Sequence, residues 1–426
     1  MSFTFMNDRR TLVWIGLSIL LLLIAGVLIA YYFLPGFGFR GQAVEIAPLP
    51  GQISDNLYDE DLIVPGIWRR IGDRLYESIS TGEAEVMLPV DRFTVTKTRR
   101  PTDTFRANEI YARDVLLYAQ AIAEQGRRGE FLTLIDAFEE VFLRGSHPLT
   151  RVLIKDGAVS EIGGEDYALW FAYEKALLIA WQRWPEATIE RSIQRGGVAL
   201  KQLFTTDGLG KPTDLPDDVT YPWVSTDVQP TPAPPLTGEA IVIFSDIDLY
   251  VIRQLAAFDS DFAEFADTWT KTIHDSIASV GAPFPAYATF ADGSGNIAVQ
   301  EENFRVETKE VLQTLLHLAE SGQDIETSLD FFRQRLLDGQ GLSTAYRIAD
   351  GAAVGTPAFA DLYALAARIG RAADDTVLTE AALSELVRFY AGSQTSLIFG
   401  AYYRDGADSA FEMLLTDNVR ALLALR

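Results

Sequence analysis

Hydrophobic residues recur with a helical period through most of the chain after residue 57. Apolar positions at i, i+3, i+4 and i+7 indicate segments that bury one face of an α-helix. About a dozen such segments follow one another, from IWRRIGDRLYESI to SAFEMLLTDNVRALLAL, each bounded by Gly, Pro, Asp or Ser. The pattern predicts a domain that is almost entirely α-helical.

Strand-like alternation is confined to two short runs, at residues 93–99 and 240–244. Because strands and helices do not alternate along the chain, a Rossmann fold or a TIM barrel is disfavoured. Two all-α architectures suit about twelve helices in antiparallel pairs: an (α/α)6 toroid and an open α-solenoid. The chain shows no repeated sequence period, which favours the toroid.

The N-terminal segment differs from the rest. Residues 11–33 carry no charge, and an apolar run of this length can span a bilayer. Arg9 and Arg10 precede it, which predicts a cytoplasmic N-terminus and an extracytoplasmic C-terminal domain. A cleaved signal peptide is the alternative, but no A-x-A cleavage site follows the run and its apolar part is long. We therefore expect an uncleaved single-pass anchor in the cell membrane.

These patterns divide the chain into three parts: a cytoplasmic stub and anchor at 1–33, a linker at 34–56 and the helical domain at 57–426. The linker is rich in Gly and Pro and has no helical period. Within the domain, the Pro-rich segment 207–240 predicts one long loop over a rim.

Composition narrows the possible partners. A net charge of −23 repels nucleic acid and anionic lipid surfaces, so no nucleic-acid partner is expected. The chain has no cysteine, which excludes disulfides, thiol catalysis and thiolate zinc sites. His147, His274 and His317 lie far apart without metal-ligand spacing. No metal or other cofactor is predicted.

Acidic residues stand at the start of two apolar segments. Glu161, Glu165 and Asp166 precede one in VSEIGGEDYALWF, and Asp246 and Asp248 open another in FSDIDLYVIRQLAAF. Acids at helix starts commonly act as caps or stabilise the helix dipole. The Gly163-Gly164 pair is not explained by capping, since glycine permits close approach of a backbone or a ligand. Taken alone, the first segment fits a capped helix and an active site equally well.

Both segments resemble motifs of glycoside hydrolase family 8, the endoglucanase and chitosanase group. VSEIGGEDYALWFA is similar to that family's S-E-G-x-x-Y-G-x-x-x-A segment, and FSDIDLYVIRQLAAF to its A-[ST]-D-[AG]-D-x-x-[IM]-A segment. The family fold is an (α/α)6 barrel. The resemblance implies that Glu161 is the general acid, that Asp246 acts in the active site, and that Tyr167 and Asp248 belong to the substrate site.

The resemblance also identifies what this chain lacks. STAYR at 343–347 is the nearest match to the family's Y-D-A-x-R segment, and Thr344 occupies the place of the aspartate that activates water. Arg347 retains the arginine of that segment and is a predicted substrate-binding residue. Asp350 is the predicted substitute base, with Asp405 as a further candidate.

The sequence thus predicts a membrane-anchored glycoside hydrolase that cleaves a β-linked polysaccharide by inversion, beside a polysaccharide synthase or export complex. Glu161 beside Glu165 and Asp166 would have the raised pKa that an acid needs. Tyr221 and Trp223 in the long loop are predicted sugar platforms. The alternative is a catalytically inactive toroid that binds a glycan or a protein in an envelope export complex.

Overall fold

The computed structural model describes residues 44–51, 63–81, 85–97, 104–144, 147–204, 241–280, 288–291, 296–299, 305–348, 350–406 and 410–425. All elements below belong to the unit Ile46–Arg426. The predicted membrane span at 11–33 lies outside these residues, as does the predicted loop at 207–240. Among the helices that the structure describes, none is long and apolar enough to cross a bilayer.

Twelve α-helices follow one another along this part of the chain. They are α1 (Ile63–Arg74), α2 (Ala112–Glu124), α3 (Arg128–Phe142), α4 (Leu169–Arg183), α5 (Ala187–Gln202), α6 (Leu249–Leu255), α7 (Asp261–Val280), α8 (Thr308–Glu320), α9 (Glu326–Leu337), α10 (Ala360–Ala372), α11 (Thr376–Leu386) and α12 (Leu415–Ala424). The periodic segments of the sequence correspond to these helices one by one.

The even-numbered helices form a closed inner ring. Each contacts the next, from α2 through α4, α6, α8 and α10 to α12, and α12 returns to contact α2. These inner helices are buried on most of their surface, as in α10, where only its last residues reach solvent. The outer helix α5 instead buries a single stripe at Ile189, Ile193, Gly196, Gly197 and Leu200. This alternation of outer and inner helices is the predicted (α/α)6 toroid.

Short strands fill the connections at the ends of the helices, and most of them were not predicted. They are β1 (Tyr76–Ser80), β2 (Glu85–Pro89), β3 (Arg92–Thr96), β4 (Thr104–Arg106), β5 (Glu109–Tyr111), β6 (Arg151–Lys155), β7 (Ala158–Ile162), β8 (Ile241–Val242), β9 (Ala288–Ala291), β10 (Asn296–Val299), β11 (Arg305–Glu307), β12 (Ala345–Arg347), β13 (Arg404–Asp405) and β14 (Ala410–Leu414). The sheets have the orders β2-β1-β7-β6-β5, β13-β14-β3-β4, β10-β9-β8 and β11-β12.

Residues 46–51 of the predicted linker pack against the ring. The Ala47 carbonyl accepts hydrogen bonds from Gln182 Nε2 at 2.8 Å and from the Tyr250 hydroxyl at 2.9 Å. Leu49 is buried, and Gly51 approaches Ala372 with a positive φ of 79°. Gln182 and Ala372 stand at the C-terminal ends of inner helices, so this part of the linker covers that end of the ring.

Candidate active site

A cavity of about 260 Å³ lies at the opposite end, where the inner helices begin. Its lining consists of Arg113, Ser245, Asp246, Glu307, Lys309, Glu310, Gln313, Thr344, Phe359, Asp361, Leu362, Arg404 and Arg420. Several of these residues belong to the first turns of α2, α8 and α10 or to the turn just before α6. Charged side chains outnumber all others, and Phe359 is the only aromatic residue in the part of the lining that the structure describes.

Glu310 is the acidic residue of the lining that is best suited to donate a proton. It stands in the first turn of α8, where Thr308 anchors the backbone by donating from Oγ1 to the Ser343 carbonyl at 2.6 Å. Burial and, second to it, the negative charge of Asp246 raise the pKa of Glu310 to about 8, although Arg113 opposes both. Its Oε2 is enclosed and has no hydrogen-bond partner among the described residues. At neutral pH this side chain is therefore protonated and able to donate.

Asp246 lies in a single 3-10 turn, Phe244–Asp246, immediately before α6. Only 8% of the residue is exposed, and Arg113 Nη2 donates to its Oδ1 at 2.8 Å. Burial raises the pKa of Asp246, Arg113 lowers it, and the negative charge of Asp166 adds to the rise. The ion pair links the start of α2 to the start of α6 across the cavity.

Arg404 forms ion pairs with two more carboxylates. Its Nη2 donates to Asp361 Oδ1 at 3.0 Å, and its Nε donates to Asp417 Oδ2 at 2.6 Å. Asp361 lines the cavity at the start of α10, whereas Asp417 is fully buried behind it in the first turn of α12. Burial raises the pKa of Asp417 to about 6 despite this arginine. Arg404 thus fixes the orientation of Asp361 toward the cavity.

Glu161, the predicted acid, does not line this cavity. It lies in strand β7, paired with Leu153 of β6, and its side chain is exposed. The segment around it forms a β-hairpin because it pairs with β6, so the helix predicted to start near Ser160 begins only at Leu169. Among the acids of that stretch, Asp166 lies near the cavity, where its charge acts on Asp246 and Arg113.

Asp350 and Arg347 also lie apart from the cavity lining. Arg347 donates from Nε and Nη2 to the two carboxylate oxygens of Asp350, at 2.9 and 2.6 Å. This exposed ion pair lowers the pKa of Asp350. Thr344 does line the cavity, and its Oγ1 accepts a hydrogen bond from the Thr356 amide at 2.9 Å. The position that resembles the family's base is thus at the site but carries a hydroxyl. Asp405, the further candidate, is an exposed residue of β13 paired with Lys97.

Asp248 belongs to a buried ionic network inside the ring. Its Oδ2 lies 2.8 Å from Lys175 Nζ and 3.1 Å from His317 Nε2, and Lys175 also pairs with Glu320. Asp248 is the N-cap of α6 and accepts from the Val251 amide at 3.2 Å. It does not line the cavity and lies instead in this buried network.

Three further predicted substrate residues do not lie in the described lining of the cavity. Tyr167 is half-buried in the turn that precedes α4 and does not line the cavity. Tyr221 and Trp223 lie outside the described residues. Within the part of the chain that the structure describes, no three His, Asp or Glu side chains are arranged to hold a metal ion.

Glu310 and Asp361 were missed by the sequence analysis, although the same signal was available. Each stands in the first turn of an apolar helical segment, as Asp246 stands just before one. Their common position at one end of the ring follows from the toroid itself, because successive inner helices begin at the same end.

Comparisons with known proteins give likeness in fold only. No protein-family model matches the chain, and neither does any curated protein. A solved alpha-amylase from Clostridium perfringens has a TM-score of 0.63, with 16% identity over 88% of this chain and 98% of that one. For a beta-1,3-1,4-glucanase from Paenibacillus sp. X4 the TM-score is 0.57, with 10% identity over 90% of this chain and 96% of that one.

A cold-adapted family 8 xylanase, solved in complex with substrate, has a TM-score of 0.56, with 11% identity over 85% of this chain and 89% of that one. The chain therefore has a divergent form of the fold seen in family 8 glycoside hydrolases. The resemblance and the (α/α)6 ring predicted from the sequence are confirmed at the level of fold.

Proposed function

We propose that this protein is a glycoside hydrolase that cleaves a polysaccharide in the cavity at the inner-helix N-termini. The observation that carries the proposal is Glu310, a carboxyl group protonated at neutral pH that shares a cavity with the carboxylates Asp246 and Asp361. Glycoside hydrolysis needs one protonated and one ionised carboxyl group. The fold likeness to glycoside hydrolases supports the same function.

In this proposal Glu310 takes the acid role that the sequence analysis gave to Glu161. Glu310 protonates the departing glycosidic oxygen. Asp361, which is paired with Arg404, accepts a proton from the water whose oxygen bonds to the anomeric carbon. Asp246 keeps the acid protonated through its charge and accepts a hydrogen bond from a sugar hydroxyl. Direct attack of water inverts the anomeric centre, as the sequence analysis expects.

The substrate linkage is a separate part of the proposal. The resemblance in the sequence favours a β-linked polymer. The solved structures of the same fold include one named an alpha-amylase and one named a beta-glucanase, so the fold itself does not choose between the two linkages.

The proposal keeps the location expected from the sequence. Residues 11–33 would anchor the chain in the cell membrane with the catalytic domain on the extracytoplasmic side. An enzyme held there would trim a polysaccharide as a synthase or export complex releases it.

A second candidate function is binding without catalysis. Thr344 replaces the aspartate of the resembling motif, and Phe359 is the only aromatic among the described residues of the lining. An inactive toroid of this kind would hold a glycan or a protein of an export complex.

Reducing-end release by the full-length chain in detergent separates the two functions. Purified protein is incubated with β-glucan, xylan, deacetylated chitin, alginate and starch. Hydrolysis of at least one polymer is expected, and Glu310→Gln should lower the rate by a factor of about 10² or more. Glu161→Gln is the matched control and should keep the rate. Activity that survives Glu310→Gln contradicts the proposed acid, and polymer binding without any release supports the second candidate.

A further inference from the structure

Two cations of the cavity have no carboxylate partner. Lys309 forms no hydrogen bond or ion pair with any described residue. Arg420 reaches only Gln313, whose Oε1 accepts from Nη2 at 3.4 Å, and its buried Nε has no partner within the described chain. The other two cations, Arg113 and Arg404, are both neutralised by aspartates. Positive charge therefore remains free at one side of the cavity.

The acids of the lining do not neutralise this charge. Glu310 is protonated at neutral pH, and Glu307 is engaged by Arg305, whose Nε lies 2.9 Å from its Oε1. The charges of Asp361 and of Asp114 act on both free cations. The ion pair of Asp361 is with Arg404, and Asp114 Oδ1 accepts a hydrogen bond from Thr416 Oγ1 at 2.6 Å. The excess of cations is notable in a chain whose net charge is −23.

The two free cations, Lys309 and Arg420, also repel each other. Burial lowers the pKa of Lys309, and the positive charge of Arg420 lowers it further. Lys309 is exposed even though protein atoms surround it. A side chain that projects into the open cavity has this combination of properties. Burial lowers the pKa of Arg420 to about 10, so its guanidinium remains charged at neutral pH. A bound anion would relieve this repulsion and supply the missing hydrogen-bond acceptor.

We propose that the polysaccharide handled by this protein is acidic, and that the carboxylate of a uronic acid residue binds between Lys309 and Arg420. The inference rests on the proposed function insofar as that function places a sugar chain in the cavity. Arg420 offers a planar guanidinium and Lys309 a mobile ammonium, which together suit a carboxylate beside a sugar ring. Neutral sugars would leave both cations without a counter-ion.

Calorimetric binding of two matched trisaccharides to the full-length chain tests this inference. The probes are β-1,4-linked trimannuronate and β-1,4-linked mannotriose. Each sugar of the first carries a carboxylate where the second carries a hydroxymethyl group. Glu310→Gln is used as the background so that neither probe is cleaved. We expect trimannuronate to bind about tenfold tighter or more, with an advantage that shrinks as salt is added.

Substitution of the two cations localises the effect. Lys309→Met and Arg420→Met should each weaken trimannuronate binding by about tenfold or more and leave mannotriose binding unchanged. Lys155→Met and Arg388→Met are the matched controls, because they remove the same charges from exposed positions outside the cavity. If Arg420→Met proves unstable in a thermal melt, Lys309→Met and the salt dependence decide.

Equal affinity for the two probes overturns the inference, as does a preference for trimannuronate that survives both substitutions, or no measurable binding of trimannuronate. These outcomes are separate from those for hydrolysis. If the protein releases reducing ends from a neutral polymer and binds the two probes equally, the hydrolase function stands and the anion site is contradicted. Binding of trimannuronate that depends on Lys309, without hydrolysis of any polymer, supports the anion site and removes the hydrolase function.

Discussion

Asp246 and Asp248 are separated by one residue and pair with different cations in different parts of the ring. Asp246 Oδ1 accepts from Arg113 at 2.8 Å in the cavity, and Asp248 Oδ2 accepts from Lys175 at 2.8 Å inside the buried network. Their side chains differ little in exposure, at 6% and 4%. Their partners differ in exposure: the side chain of Arg113 is 36% exposed, whereas that of Lys175 is 6% exposed.

The difference predicts unequal losses of stability for the same substitution at the two positions. Asp248→Asn retains an N-cap side chain for α6 but leaves Lys175 with one counter-ion fewer in the interior, so we expect a loss of about 3–5 kcal/mol in unfolding free energy. Asp246→Asn leaves only the partly exposed Arg113 without its partner, and should cost about 1 kcal/mol. Urea unfolding of both variants measures the difference, and equal losses would contradict the two environments.

Glu310 makes the stability of the protein depend on pH. The pKa of this group is 4.5 in an ordinary environment and about 8 in the folded protein, so the folded chain holds one extra proton between these values. Stability contributed by that proton is complete below pH 4.5 and falls by about 1.4 kcal/mol per pH unit up to about 8. Relative to the wild type, Glu310→Gln should therefore gain unfolding free energy as the pH is raised from 5 to 8.

Chemical denaturation of the wild type and of Glu310→Gln at pH 5 and at pH 8 measures this change in relative unfolding free energy. Glu307→Gln is its control, because Glu307 lines the same cavity but is only partly buried and is paired with Arg305. The same proton should control catalysis, so the rate should fall as the pH rises through about 8. A rate that stays constant to higher pH would be inconsistent with Glu310 as the acid.

Asp361 should be required for turnover but not for folding. Asp361→Asn keeps the shape of the side chain, and Arg404 retains its ion pair with the buried Asp417. We expect kcat to fall by a factor of about 10² or more with little change in KM or in the melting temperature. Initial-rate kinetics on the polymer found to be cleaved measures this, and Asp246→Asn serves as comparison. A loss confined to Asp246→Asn would transfer the role of base to that residue.

Gly196 is required by the neighbouring Glu174. A Cβ added at Gly196 would lie 1.9 Å from Glu174 Oε1, and Glu174 is completely buried without a hydrogen-bond partner for either oxygen among the described residues. Burial raises the pKa of Glu174 well above its usual range. Gly196→Ala should destabilise the protein by about 1–3 kcal/mol.

Gly197 is the matched position for this test. Its added Cβ would meet only Leu255 Cδ2 at 3.8 Å, which is an ordinary contact. Gly197→Ala should therefore stabilise helix α5 by about 0.5–1 kcal/mol. Opposite signs for adjacent substitutions in thermal unfolding are the expected result, and a tolerated Gly196→Ala would show that the Glu174 side chain can move aside.

Local sequence determined the helices of this protein and hence its class of fold. A period of 3.6 residues depends only on neighbours in the chain, so segments such as 308–320 and 360–372 could be recognised without their partners. Short strands could not, because β7 exists through its pairing with β6 and β1 rather than through its own pattern. For that reason Glu161 was expected at a helix start and lies instead on an exposed strand.

The site was decided by the tertiary structure. Acids at helix starts were visible in the sequence at Asp166, Asp246, Glu310 and Asp361 alike, and nothing local distinguishes a cap from a catalytic group. Closure of six inner helices brings Asp246, Glu310 and Asp361 to one cavity from positions far apart in the chain. Burial and neighbouring charge then set the pKa of Glu310, and both are properties of the folded environment rather than of sequence.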